Sequence, residues 1–313
     1  MFSFLVALTM FLTFSPAKPE MKIADFRPIH RSSLPLAAMA PVQPGPVKKD
    51  PNRLGVETTA NSAFVADWRT GAVLFEKDAD TPRPIASITK LMTSLVVLGG
   101  NPNWDKEVEV LPNDEPPGGV AYLIPGEIVT VRDLFNLSMV ASSNGATVAL
   151  ARSTGLSPED FAKKMNETAA SLGMTEASFV EPVGLNSDDA ASARDVSRLV
   201  RAALSHQEIH DAVVQKEYRL VTKSGSRRTV RSTDELLGSF LDKPPYAFLG
   251  GKTGFIDEAG YCFGAAAQNA DGNGVVAVVL GANTKELRFK EVKSLMFWAF
   301  DAYHWPARLA SAQ

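Results

Sequence analysis

The sequence predicts an α/β chain of the α+β kind: an antiparallel sheet built from both chain ends, helices flanking it, and a mostly helical insertion between its halves. Three observations predict it. Strand-like runs rich in β-branched and aromatic residues cluster at 62–77 and return at 217–280. Between them, from Ser87 to Leu204, apolar residues recur at helical spacing. A last amphipathic stretch, Glu286 to Tyr303, follows the final strand. With 313 residues, 45% hydrophobic and 21% charged, the chain can bury the core that such an architecture needs.

The elements follow in order. Ala63-Phe64-Val65-Ala66-Asp67-Trp68 and Ala72-Val73-Leu74-Phe75-Glu76 flank Gly71 and predict a hairpin at one edge of the sheet. Ser87 to Leu98 reads as a helix that stops at Gly99-Gly100. Helical patterns recur through Val131 to Ala151, Ser157 to Leu172 and Ala193 to Leu204. The second opens on an N-cap serine, a proline at the first turn and an acidic residue, Ser157-Pro158-Glu159. Strands return at Glu217 to Thr222 and Arg228 to Thr233 around Ser224-Gly225-Ser226, then at Gly250 to Gly254, Tyr261 to Gln268 and Gly274 to Leu280. Turn chemistry at Asn269-Ala270-Asp271-Gly272-Asn273 separates the last two. In the final helix Leu295, Phe297, Trp298 and Phe300 are read as core.

Residues 1–17 are an apolar run ending on Ser15-Pro16-Ala17, the pattern of a secretory signal peptide, without a basic residue ahead of it. Residues 18–59 are proline-rich without periodicity and read as a tether; a single domain is expected over 60–313, its helical subdomain over about 88–205. A net charge of -3 with scattered basic residues excludes a nucleic-acid surface. The one cysteine, Cys262, rules out an internal disulfide and reads as a buried thiol. His206 and His210 have zinc-helix spacing, but Glu208 is one position late for H-E-x-x-H and no third ligand is evident. No metal and no cofactor is expected.

Three short strings carry the chemistry: Ser87-Ile88-Thr89-Lys90, Ser142-Ser143-Asn144 and Lys252-Thr253-Gly254. Residues three apart share a helix face, so Ser87 and Lys90 can pair as nucleophile and base, provided that the amine is neutral. Burial, and the second cation Lys252, would lower its proton affinity. Helix N-terminal N–H groups beside Ser87 can stabilise an oxyanion. Ser142 can relay a proton and the Asn144 amide can hold a peptide group. Lys252 and Thr253, on a strand, can bind a carboxylate; Gly254 permits close backbone approach, and the Phe255 N–H can complete the oxyanion hole.

This ordered set is the one shared by penicillin-binding proteins and class A β-lactamases. The chain resembles more narrowly the D-alanyl-D-alanine carboxypeptidases of the low-molecular-mass penicillin-binding protein family. The resemblance runs from about Ala60 to Ala302 and includes Phe75 to Asp80, Pro84 to Ser87, Gly126 to Leu134, Met165-Asn166, Leu172 to Met174 and Ala259-Gly260-Tyr261. It implies a β-lactamase/transpeptidase-like fold and a periplasm-facing serine enzyme. That enzyme removes the terminal D-alanine of peptidoglycan stem peptides through an acyl-enzyme, and β-lactams inhibit it covalently. Ser87 would be nucleophile, Lys90 base, Ser142 and Asn144 relay and positioning, Lys252 and Thr253 carboxylate binders. A D,D-endopeptidase, a class A β-lactamase and a non-catalytic peptidoglycan-binding protein are the alternatives. Three departures stand out: Ser142-Ser143-Asn144-Gly145 replaces the frequent S-G-N-D; Glu181-Pro182-Val183-Gly184-Leu185-Asn186 replaces N-P-x-G-L and mimics the β-lactamase E-x-x-L-N with one residue more; and neither a C-terminal β-domain nor a C-terminal membrane anchor is expected.

Overall fold

The computed structural model describes residues 44–116 and 119–307, so the signal-peptide reading and most of the tether lie outside the described residues. Strands β1 (Ser62–Asp67) and β2 (Val73–Lys77) form the expected hairpin. After the helical stretch come a second hairpin, β3 (Glu217–Val221) with β4 (Arg227–Arg231), and a meander of β5 (Ala247–Ile256), β6 (Gly260–Gln268) and β7 (Gly274–Ala282). The main sheet has five antiparallel strands in the order β5-β6-β7-β1-β2. The two halves of the chain meet where β7 pairs with β1, with Val276 opposite Ala66 and Val278 opposite Phe64.

Every residue of β7 is buried, which explains its unbroken apolar run. Its pleat sends Val276, Val278 and Leu280 to one core and Val275, Ala277 and Val279 to another. The first core lies under α1 (Thr89–Gly99), α2 (Val131–Val140), α3 (Asn144–Ser153), α4 (Pro158–Ser171), α5 (Ala193–Leu204) and α6 (Gln207–Val213). The second lies under α7 (Lys285–Ala302). All of α1 from Thr89 to Val97 is buried, so this helix is the hydrophobic axis of the insertion. Full burial of each Val or Leu side chain is worth about 1.5–3 kcal/mol.

Three expectations need correction. The pattern from Val131 to Ala151 is two helices, because the chain breaks at 141–143, where Ser142 takes φ 55° and Ser143 caps α3. Hydrophobic spacing carries through that break and hides it. The fold begins before residue 60: Val47 and Lys48 pair with His304 and Tyr303, and the Leu54 carbonyl accepts from Trp298 Nε1. Backbone pairing of this kind leaves no side-chain periodicity to read. Phe297 is 48% exposed and meets Phe240 edge-on, whereas Leu295, Trp298 and Phe300 are buried.

Candidate active site

Ser87 lies in a 3-10 turn, Ala86–Ile88, that runs directly into α1. Ala86 holds φ 48°, a conformation costing about 1–3 kcal/mol for a residue with a side chain. The turn is pinned by its neighbours. Ile85 N–H donates to the Asp189 carbonyl at 3.1 Å, and a Cβ at Gly254 on β5 would stand 2.4 Å from the Ile85 oxygen and 3.3 Å from Ser87 N. Glycine at 254 is therefore a packing requirement, as its place in the third string suggested.

One turn on, Lys90 is wholly buried, with its Nζ 2.7 Å from Ser87 Oγ, 2.9 Å from Asn144 Oδ1 and 2.8 Å from the Val183 carbonyl oxygen. The amide and carbonyl oxygens can only accept, so they take two N–H bonds from the amine. The third Nζ position faces the serine hydroxyl and is a lone pair when the amine is neutral. Burial pushes Lys90 down to about 7, against the opposing pull of the Glu181 and Asp189 carboxyls. A neutral amine is thus accessible near neutral pH.

Ser142 and Asn144 come from the break between α2 and α3. The αL backbone of Ser142 turns the chain, the Ser143 hydroxyl accepts from Ala146 N–H at 3.2 Å, and Asn144 opens α3 facing Lys90. From β5, Lys252 is 1% exposed and donates to Ser142 Oγ at 2.7 Å and to the Thr253 carbonyl at 3.2 Å. Burial, then the charges of Lys90 and Arg288, hold its proton affinity well below the usual amine range. Ser87, Ser142, Asn144, Thr253, Gly254 and Phe255 line one cleft of about 750 Å³. Lys90 and Lys252 lie buried in contact with its serines. All eight residues singled out in the sequence therefore meet at one place. Phe255 is 46% exposed and stacks on Tyr261 with ring centroids 4.5 Å apart.

Several cleft residues escaped the sequence reading. Thr233 Oγ1 is 2.8 Å from Thr253 Oγ1, forming a pair of hydroxyls on the wall. Arg288, from the first turn of α7, donates to the Gly254 carbonyl at 3.1 Å and puts a guanidinium beside the same wall. Its only sequence signal is its place just after the last sheet strand. Gly145, where the frequent S-G-N-D string has an aspartate, leaves room that the Glu115 carboxyl fills: a Cβ there would be 2.1 Å from Glu115 Oε2. The Glu181 carboxylate accepts backbone N–H bonds from Val183 at 2.6 Å, Leu185 at 2.5 Å and Asn186 at 3.3 Å. Three of its lone pairs are spent on its own loop, so in this fold the residue of the E-x-x-L-N likeness serves as a loop pin. Among the described residues no group of three or more His, Cys, Asp or Glu side chains could hold a metal. Cys262 is buried, and burial raises its thiol to about 11.

Residues 47–284 match the family model of the D-alanyl-D-alanine carboxypeptidases. The D-alanyl-D-alanine carboxypeptidase DacF of Bacillus subtilis is 31% identical over 250 residues, 78% of this chain and 63% of its own length. A D-alanyl-D-alanine endopeptidase of Pseudomonas aeruginosa is 31% identical over 271 residues, 85% of each protein. Penicillin-binding protein D2 of Listeria monocytogenes, in a cefotaxime-bound form, superposes with a TM-score of 0.68 at 33% identity, covering 79% of this chain and all of that one. The sheet-and-helix framework is thus shared, and this chain belongs to the D-alanyl-D-alanine carboxypeptidase family of serine peptidases.

Proposed function

We propose that this chain removes the terminal D-alanine from peptidoglycan stem peptides by acylation and deacylation of Ser87. The observation that carries this reading is the 2.7 Å approach of Lys90 Nζ to Ser87 Oγ, with the amine's other hydrogen bonds committed to carbonyl oxygens. Ser87 Oγ attacks the carbonyl carbon of the D-Ala-D-Ala amide, and its proton passes to Lys90. The oxyanion is held by the N–H groups of Ser87 and Phe255. The C–N bond then breaks, and the proton held by Lys90 passes by way of Ser142, which Lys252 contacts, to the departing amine of D-alanine, leaving Lys90 neutral. Water attacks the resulting ester with Lys90 as base, releasing the shortened peptide and restoring the serine hydroxyl. The Thr233–Thr253 hydroxyl pair and Arg288 offer the hydroxyl-lined, positive wall that a terminal carboxylate requires, with Lys252 buried behind it. A β-lactam ring presents a strained amide to the same serine, as the cefotaxime-bound relative suggests. The apolar leader pattern favours action on the cell-wall side of the cytoplasmic membrane; among the described residues no helix is long and apolar enough to cross a membrane.

A second reading, cleavage of D-alanyl cross-links, is favoured by the endopeptidase relative that matches over 85% of both lengths. Incubation with a disaccharide pentapeptide and, separately, with cross-linked dimers tests both readings. Release of D-alanine from the first, abolished in Ser87→Ala, supports the carboxypeptidase. Splitting of dimers without D-alanine release replaces it with the endopeptidase, and rapid turnover of penicillin points to a β-lactamase instead.

A further inference from the structure

The loop from Val180 to Asn186 supplies the Val183 carbonyl that Lys90 Nζ contacts at 2.8 Å. Two carboxyl groups shape this loop from inside. Glu181 gathers the N–H groups of Val183, Leu185 and Asn186 around its own two oxygens. Asp189, wholly buried, accepts from Val180 N–H at 2.6 Å and from Glu181 N–H at 3.3 Å through Oδ1. Its other oxygen, Oδ2, is buried with no hydrogen-bond partner, and the Glu181 carboxyl is near enough to raise its proton affinity. A buried carboxyl oxygen without a donor is better satisfied protonated than charged. Outward, the loop is tied to α1 twice, by Lys90 on Val183 and by Thr93 Oγ1 on the Pro182 carbonyl at 2.6 Å. Its tip presses on the nucleophile's turn: Gly184 has φ 84°, and a Cβ there would be 2.0 Å from the Ala86 oxygen.

We propose that Glu181 and Asp189 are the positioning pair of the reaction, folding the 180–186 backbone so that the Val183 carbonyl holds Lys90 Nζ towards Ser87. This rests on the reading of Ser87 and Lys90 as nucleophile and base. Glu181 puts a carboxyl group where the N-P-x-G-L arrangement has a neutral residue. Burial, and then the charge on Glu181, raise Asp189 to about 8, in keeping with a proton held there at neutral pH. Glu181 and Asp189 face Lys90 from this loop and Lys252 faces it from β5, while its hydrogen-bonding neighbours Ser87 and Asn144 are uncharged.

The test is the rate of acylation of the full chain by a fluorescent penicillin across roughly pH 5 to 9, with the mass of the acyl-enzyme and the melting temperature recorded alongside. In the parent protein the rate rises with pH through a midpoint near the Lys90 value of about 7. Asp189→Ala removes the Oδ1 acceptor of the Val180 and Glu181 N–H groups, so the loop loses one of its two inner pins. Its plateau is expected to fall at least about tenfold as the Val183 carbonyl shifts from Lys90 Nζ. Glu181→Gln loses one backbone acceptor and the charge that supports the protonated amine; its plateau should fall at least about tenfold and its midpoint move to lower pH. A merely structural role would lower the melting temperature and leave the midpoint in place. The proposal is overturned if Glu181→Gln keeps the parent's plateau and midpoint, or if Asp189→Ala keeps the parent's plateau. Should one of the two variants fail to fold, the other alone decides. If the parent protein is not labelled at all, the reading of Ser87 and Lys90 falls first, and this proposal with it.

Discussion

Asp234 is a residue whose burial leaves a pH signature separate from the chemistry. It is 7% exposed, its Oδ1 accepts from Leu236 N–H at 2.8 Å, and Oδ2 is buried without a partner. Burial raises it to about 7, although the charges of Lys252 and Arg288 pull the other way. The sign follows from proton counting. Between the ordinary value of 3.8 and about 7 the folded state holds a proton that the unfolded chain has released, so stability is lost as pH rises through that window. Asp234→Asn keeps the Oδ1 acceptor and does not titrate. Its advantage over the parent should grow between pH 5 and pH 8, by on the order of 1–2 kcal/mol or a few degrees of melting temperature. Equal differences at the two pH values would show that Asp234 is ionised throughout. Such groups are invisible in sequence, because Ser232-Thr233-Asp234 reads as an ordinary turn and only burial in the fold makes the carboxylate expensive, with Lys252 and Arg288 offsetting part of that cost.

Between elements, the closest fit is that of β5 against the turn carrying Ser87. Gly254→Ala places a Cβ 2.4 Å from the Ile85 oxygen and 3.2 Å from the Ala86 Cβ. Neither neighbour can yield cheaply, since Ile85 is fixed by its bond to the Asp189 carbonyl and Ala86 already sits in a left-handed conformation. The turn must shift by several tenths of an ångström, and with it the Ser87 N–H and Oγ. Penicillin acylation is expected to fall by at least about tenfold, while the melting temperature drops by only a few degrees; a parent-like rate would show that the turn tolerates the displacement. This contact was legible in the sequence as a glycine ending a lysine-threonine pair. The strands, the order of the strings and the Ser87–Lys90 helix face were legible for the same reason, since each depends on local spacing. The break at Ser142 was not, because its cause is a single backbone angle beneath a continuous apolar pattern. Nor was the spending of Glu181 on three N–H groups, since the spacing E-x-x-L-N resembles a catalytic string while the fold uses the side chain as a loop pin.

At the scale of the whole molecule, the sheet is closed by a segment that composition made look like tether. Glu291, on α7 and 6% exposed, accepts from Thr58 Oγ1, from Thr59 N–H and Oγ1 at 2.7 Å each, and from Ala60 N–H at 3.3 Å. One carboxylate thereby fastens the approach to β1 onto the last helix, joining the two chain ends that build the sheet. Lys77, on β2, adds bonds to the Thr58 and Ala60 carbonyls at 2.9 and 2.7 Å. Glu291→Ala leaves part-buried N–H groups without an acceptor, which costs about 1–3 kcal/mol for each one that water cannot reach. The expected loss is about 2–4 kcal/mol of unfolding free energy by denaturant titration. Because Glu291 contacts neither Ser87 nor the lysines, penicillin acylation per folded molecule should stay within about threefold of the parent. Unchanged stability would show that residues 58–60 are not fastened to α7, and a collapse of acylation at intact stability would show that α7 transmits their position to Arg288 and the cleft.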